Sequence, residues 1–75
     1  MEITLDRLRL GQQAVVTHID TNADLMCRLR SYGMVPGTRV RCRYRSPGGS
    51  VTALELRGSV VALRTRDMRM IRVCC

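Results

Sequence analysis

The order of apolar and polar positions along the chain predicts one short helical turn, one longer helix and five strands. Thr4-Leu5-Asp6-Arg7-Leu8 sets a cap-type Thr ahead of apolar residues three apart, enough for one helical turn, which Leu10-Gly11 closes. Ala14-Val15-Val16-Thr17-His18-Ile19 is rich in β-branched residues and reads as a strand. After the polar stretch Asp20–Ala23, Thr21 and Asp24 have the spacing of a capping box, with Asp in place of Glu. Leu25, Met26, Leu29 and Tyr32 then fall on one face of a helix, with Arg28, Arg30 and Ser31 towards water. Gly33 stands where a helix ends in a left-handed residue, and Val35-Pro36-Gly37-Thr38 fits a type II turn.

The second half is built from strands. Arg39-Val40-Arg41-Cys42-Arg43-Tyr44-Arg45 alternates strictly, which directs Val40, Cys42 and Tyr44 inward and four arginines to water. Ser46-Pro47-Gly48-Gly49-Ser50 is a loop, and Val51–Arg57 is a second alternating strand with Leu54 and Leu56 inward. Gly58 marks a corner. Ser59–Arg64 is apolar enough for a central strand, Arg66-Asp67-Met68 gives a short turn, and Met70–Val73 a last strand. Five short strands with glycine and proline corners and one real helix point to an all-β fold. The expectation is one domain over residues 1–75, a small SH3-like barrel with the helix plugging one end and an OB-fold as the nearest rival.

Length sharpens this reading. At 75 residues there is room for one modest core and little room to wall a pocket from water. The longest apolar run, Val60–Leu63, is far short of the ~20 residues of a membrane-spanning helix. The opening residues Met1–Asp6 carry no apolar signal-peptide core, so a soluble cytoplasmic protein without membrane insertion is expected.

Charge and inventory narrow the chemistry. The formal net charge is +7 and the pI about 10.6, every cation being Arg, so the chain favours anionic partners. With two Tyr and no Phe or Trp it lacks the stacking surfaces of single-strand binders, which argues against nucleic acid. One His and no Lys leave no catalytic set or P-loop to nominate; no enzyme activity and no cofactor are expected. Cys27, Cys42, Cys74 and Cys75 have no metal-ligand spacing. Cys42 reads as a small core residue, Cys27 as exposed, and Cys74-Cys75 as a frayed end. No metal site is assigned, although His18 with thiols could form a weak one.

Two features carry candidate binding residues, each with a plain structural alternative. Arg39, Arg41, Arg43 and Arg45 are either the wet face that protects a strand edge or a stripe that docks an acidic partner. Tyr32, Met34, Val35, Pro36 and Gly37 are either a compact apolar anchor on a rigid turn or a plug in the barrel end. An edge strand or apolar turn could also support a weak homo-oligomer.

These pieces resemble a known family. Arg28-Leu29, Gly33-Met34, Pro36-Gly37 and Val40 are similar to the signature of the FeoA family. Arg57-Gly58, Ala62-Leu63-Arg64, Asp67-Met68, Ile71 and Val73 resemble its second half, and Leu8 to Gly11 with Ala14 and Val16 its opening. Tyr32 stands where a Leu is usual, and Gly49-Ser50 where Asp-Pro is common. The resemblance covers essentially the whole chain. It implies an SH3-like barrel, a cytoplasmic role in bacterial ferrous iron uptake, and as partner the membrane permease FeoB through its cytoplasmic GTPase region. The same domain type also ends DtxR-type metal-dependent regulators. A free-standing regulatory module is therefore the alternative, and a basic nucleic-acid-binding barrel the third reading.

Overall fold

A computed structural model describes all 75 residues. Six strands form one antiparallel sheet in the order β1-β6-β2-β3-β4-β5, coiled around a single core as an open barrel. They are β1 (Glu2–Thr4), β2 (Gln13–Ile19), β3 (Arg39–Arg45), β4 (Val51–Leu56), β5 (Ser59–Arg64) and β6 (Ile71–Cys74). A 3₁₀ turn follows β1 at Leu5–Arg7; α1 (Ala23–Tyr32) links β2 to β3, and α2 (Thr65–Met68) links β5 to β6.

The N-terminus departs from expectation. Glu2–Thr4 pairs with β6 as a sixth strand, and only Leu5–Arg7 turns helically, with no side-chain cap from Thr4. Glu2 faces Cys74 across the ladder, so Cys74 is held in a strand rather than frayed, and Cys75 N–H donates to Met1 O at 3.0 Å. The cap of α1 is Asn22, not Thr21. Its Oδ1 accepts from Leu25 N–H at 2.9 Å, satisfying one of the donors that a helix start leaves free.

Bulges in β2 and β3 decide which side chains face inward. In β2 the register jumps between Val16 and His18, leaving Thr17 as an extra residue. The core positions are therefore Ala14, Val16 and Ile19, a spacing that simple alternation does not produce. The Thr17 hydroxyl fills the gap by donating to Glu2 Oε2 at 2.7 Å and approaching Arg72 O at 3.2 Å. In β3 the jump lies between Cys42 and Tyr44. Val40 and Cys42 point inward as expected, but Tyr44 turns outward and is 63% exposed. Arg45 takes the inward phase instead. Its guanidinium donates to the Asp6 carbonyl at 3.1 Å and to the Leu8 carbonyl, tying β3 to the N-terminal segment.

The β4–β5 corner is a two-residue turn, Arg57-Gly58, with both residues at positive φ (50° and 79°). That is the geometry of a type I′ hairpin, whose twist matches the strands it joins. Arg57 thus lies in the turn rather than closing β4. β5 is the edge of the sheet, not the central strand its apolar sequence suggests; β2 and β3 are interior.

The core joins residues from nearly every element. Leu5 and Leu8 come from the first segment, Leu25 and Leu29 from α1, Leu54 and Leu56 from β4, and Met68, Ile71 and Val73 from the last turn and strand. Leu25 and Leu29 put the inner face of α1 onto the core as the helical pattern predicts, and Met26 packs beside them. Two buried side-chain oxygens have no hydrogen-bond partner, Asp6 Oδ1 and the hydroxyl of Thr52. Thr52 on β4 is 1% exposed and its hydroxyl makes no hydrogen bond. Replacing it with Val, which has the same branching, removes an unpaired polar atom with only a small gain in volume. Thr52→Val should raise stability by about 1 kcal/mol, read as a higher urea midpoint at unchanged slope.

Burial also pushes the Cys42 thiol above its ordinary value of 9.0, an effect the nearby Arg45 charge partly opposes. The folded chain therefore keeps this proton to higher pH than the unfolded chain does. The contribution to stability is complete below pH 9.0 and is lost as pH climbs through the folded value. Alkaline loss of stability should accordingly be steeper in the wild type than in Cys42→Ala. A thiol reagent should modify Cys27, Cys74 and Cys75 readily in the native protein and Cys42 only after denaturation.

Candidate functional site

The segment from Tyr32 to Thr38 is held by a dense set of bonds. Gly33 ends α1 in the left-handed region (φ 86°), and its N–H returns to the Arg30 and Leu29 carbonyls. Met34 N–H donates to Leu29 O at 2.9 Å. The turn closes through Thr38 N–H to Val35 O at 3.0 Å, with Gly37 at φ 96° in the position that type II geometry reserves for glycine. The Thr38 side chain does most of the anchoring, donating to Gly33 O at 2.8 Å and accepting from Val35 N–H. Gly37 N–H to Val16 O and Val16 N–H to Thr38 O then tie the turn to β2.

This geometry separates the candidate anchor residues. Met34 is fully buried in the core, so it plugs the barrel and offers no surface. Val35 is half-buried, while Pro36 and Gly37 are exposed; Tyr32 is 38% exposed at the end of α1.

The arginines of β3 also divide. Arg43 is the bulge residue and lies 3.8 Å from Glu55, an exposed pair worth little by itself. Arg45 is turned inward as described. Arg39 and Arg41 remain on the outer face, where Arg41 stands opposite Gln13 on β2 and Glu55 on β4. The Gln13 amide oxygen accepts from the Arg41 guanidinium.

A third arginine joins them that the strand pattern did not nominate. Arg57, in the I′ turn, lays its side chain across Gly33. A Cβ on Gly33 would fall 2.7 Å from Arg57 Cδ. The sequence signal was Gly58 alone, a corner glycine between two apolar strands; Arg is not a residue that favours the first position of this turn. Arg39, Arg41 and Arg57 border one depression of about 360 Å³, with Gln13, Glu55 and the edges of Val40 and Leu56. None of the three arginines lies in an ion pair; the carboxylate contacts are Arg43–Glu55, Arg69–Asp6 and Arg72–Glu2. Three guanidinium groups with free donors form a surface suited to carboxylate or phosphate oxygens.

A second depression, about 380 Å³, lies between α1 and the β5–α2 segment. Leu25, Arg28 and Tyr32 line the helical side, and Leu63, Arg64 and Arg66 the other. His18 is exposed on β2 just past its bulge. No group of three or more His, Cys, Asp or Glu side chains gathers in an arrangement that could hold a metal ion. No helix is long and apolar enough to cross a membrane.

Comparison with known proteins decides the family. The FeoA domain matches residues 3–74. The chain belongs to the FeoA family. A Campylobacter jejuni protein, whose assignment as Fe(2+) transport protein A is itself an inference, is 28% identical over 71 residues, spanning 95% of this chain and 96% of the relative. The zinc-complexed FeoA of Stenotrophomonas maltophilia, described as an SH3-domain protein, is 32% identical with a TM-score of 0.79, over 95% of this chain and 88% of that one. The Thermoplasma acidophilum IdeR structure shares the fold alone: TM-score 0.87 at 16% identity, over 97% of this chain and 33% of that one. The barrel is accordingly SH3-like, and its family is one of ferrous iron transport accessories.

Gly33 carries both the helix end and the seat of Arg57. Gly33→Ala should destabilise the FeoA fold by about 1–2 kcal/mol from the left-handed backbone. It should also shift the Arg57 side-chain resonances, whereas Gly48→Ala, which has open space around its Cβ position, should leave Arg57 in place.

Proposed function

We propose that this FeoA protein is a non-enzymatic accessory that docks on the cytoplasmic GTPase region of the FeoB-type permease and modulates its assembly or activity. The observation that carries the reading is the trio Arg39, Arg41 and Arg57, free of carboxylate partners, around one depression beside the rigid turn Val35–Gly37. Arg43 is the exposed bulge residue of the same strand as Arg39 and Arg41, Tyr32 borders the other depression, and Met34 supports the turn from inside the core. Rigid presentation lowers the ordering cost of binding, and the arginine charge steers an acidic surface into place. In this reading the protein works in the cytoplasm and takes no nucleotide or iron through its own chemistry. Its effect on GTP hydrolysis comes from which conformation of the permease it binds better.

The test is an NMR titration of the labelled 75-residue chain with the cognate FeoB GTPase domain at moderate salt. Shifts should concentrate at Val35–Gly37, Arg39, Arg41 and Arg57. The double variant Arg39→Glu/Arg41→Glu should fold normally and weaken binding at least tenfold, mainly through a slower, less salt-dependent association. Shifts scattered over the barrel, or unchanged binding by the double variant, would refute the docking face. The fold likeness to IdeR favours a second reading, a free-standing regulatory module like the SH3-like domain of DtxR-type repressors. Absence of shifts with every nucleotide state of FeoB would move that reading forward.

A further inference from the structure

The most apolar strand of the chain is an open edge. β5 pairs with β4 on one side only, yet it carries Val60-Val61-Ala62-Leu63, the longest apolar run in the sequence. Val60 is 55% exposed, and Ala62 is exposed as well. The other edge, β1, is three residues long and begins with a Glu. Soluble proteins keep edges short, charged or bulged, because an exposed apolar edge offers its backbone to another strand. β5 has none of these protections along Val60–Leu63.

The ladder tells which backbone groups are on offer. Thr65 N–H bonds Ser50 O at 2.9 Å, so Ser50 and Thr65 are a hydrogen-bonded pair. Antiparallel pairs alternate between bonded and non-bonded, and the β4–β5 register is unbroken from Val51↔Arg64 to Leu56↔Ser59. Leu63, Val61 and Ser59 therefore turn their N–H and C=O groups to β4. Val60, Ala62 and Arg64 turn theirs to the free edge.

Beside this strand runs the 380 Å³ groove whose far wall is α1. Arg28, Arg64 and Arg66 line it, and none is in an ion pair. Asp24 and Asp67 line it too, leaving the three arginines in excess by one charge, and Asp24 lies in the first turn of α1, where the helix start offsets negative charge. With a net charge of +7 over the whole chain, the complementary occupant is acidic.

We propose that the free edge of β5 is a strand-addition site for an extended acidic peptide segment. Its backbone would pair with Val60, Ala62 and Arg64, and its carboxylates would meet Arg28, Arg64 and Arg66. Main-chain bonds supply affinity and the alternating side chains supply selectivity, as in other sheet-edge recognition. This surface is separate from the arginine trio of the proposed FeoB face, and the inference stands without it.

The probe is a blocked eight-residue peptide alternating Glu with Val and Thr, titrated into the labelled 75-residue chain, with the same peptide carrying Lys in place of Glu as the control. Amide shifts and slowed hydrogen exchange are expected at Val60, Ala62 and Arg64, with the Lys peptide at least tenfold weaker. Ala62→Pro deletes an outward N–H while sparing the β4 ladder, and should weaken binding at least tenfold; Ala62→Thr keeps the N–H and should bind as the wild type does. Val60→Pro is the replacement should Ala62→Pro fail to fold. Equal binding of the two peptides, unchanged binding by the folded proline variant, or no shifts at the three edge amides would overturn the proposal. So would protection of those amides by self-association of the chain alone, which would make a second copy the occupant.

Discussion

The phase of β2 and β3 is the constraint on which the rest of the structure depends. Both are interior strands, and each contains one bulge, at Thr17 and Arg43. A bulge shifts every later side chain to the opposite face. Ile19 thereby reaches the core opposite Ile71, and His18 is left outside. Arg45 likewise turns inward, where its guanidinium serves the carbonyls of the 3₁₀ segment, and Tyr44 is expelled. A charged side chain here does a job usually given to a backbone strand, because β1 ends before it can satisfy those carbonyls itself. The bulge thereby adds a side-chain tie from β3 to a segment that the β1–β6 ladder and the buried Leu5 and Leu8 already hold on the barrel.

Ahead of the β3 bulge the original phase persists, and that puts Arg39 and Arg41 outside. Their neighbour Arg57 arrives from a different part of the chain and needs two permissive backbones at once. Its own φ of 50° comes from the tight I′ turn, and the missing side chain at Gly33 gives its stem a seat. The arginine trio is therefore built on a strand, a hairpin and a helix end, each locked by backbone hydrogen bonds. Thr38 completes the lock through bonds to both Gly33 and Val35.

Much of this was legible locally. The helix, its Gly33 end, the Val35–Thr38 turn and the inward Leu54 and Leu56 follow from spacing and turn chemistry, which act over a few residues. Bulges do not announce themselves that way. Arg39–Arg45 alternates without a flaw in the sequence, and only the pairing partner shows that Arg43 is supernumerary. Strand order is equally silent. Val60–Leu63 reads as buried on hydropathy, but a two-residue hairpin fixes β5 beside β4, and the return through α2 leads β6 to the far side of β2. The family signature captured the residues around the turn and the Arg57-Gly58 corner without revealing that these two stretches touch. Met34 shows the opposite case: an apolar residue beside a turn can be an anchor or a plug, and only burial distinguishes them.

The two edges of the sheet are handled differently, and the difference bears on how such a small barrel can act. β1 is short, carries Glu2 in a contact with Arg72, and is drawn against β6 by the Thr17 hydroxyl. β5 is twice as long, apolar, and bare from Val60 to Arg64 on its outer side. With 19 of 75 residues buried, nearly all in one apolar cluster, the interior is spent on folding and recognition falls to the outside. The arginine trio and the β5 edge meet at the same hairpin. Arg57 belongs to the first, and Val60, three residues on, is the first open rung of the second. The barrel thus offers two separate surfaces, one of charge, suited to fast and salt-sensitive capture, and one of backbone hydrogen bonds, suited to slow release.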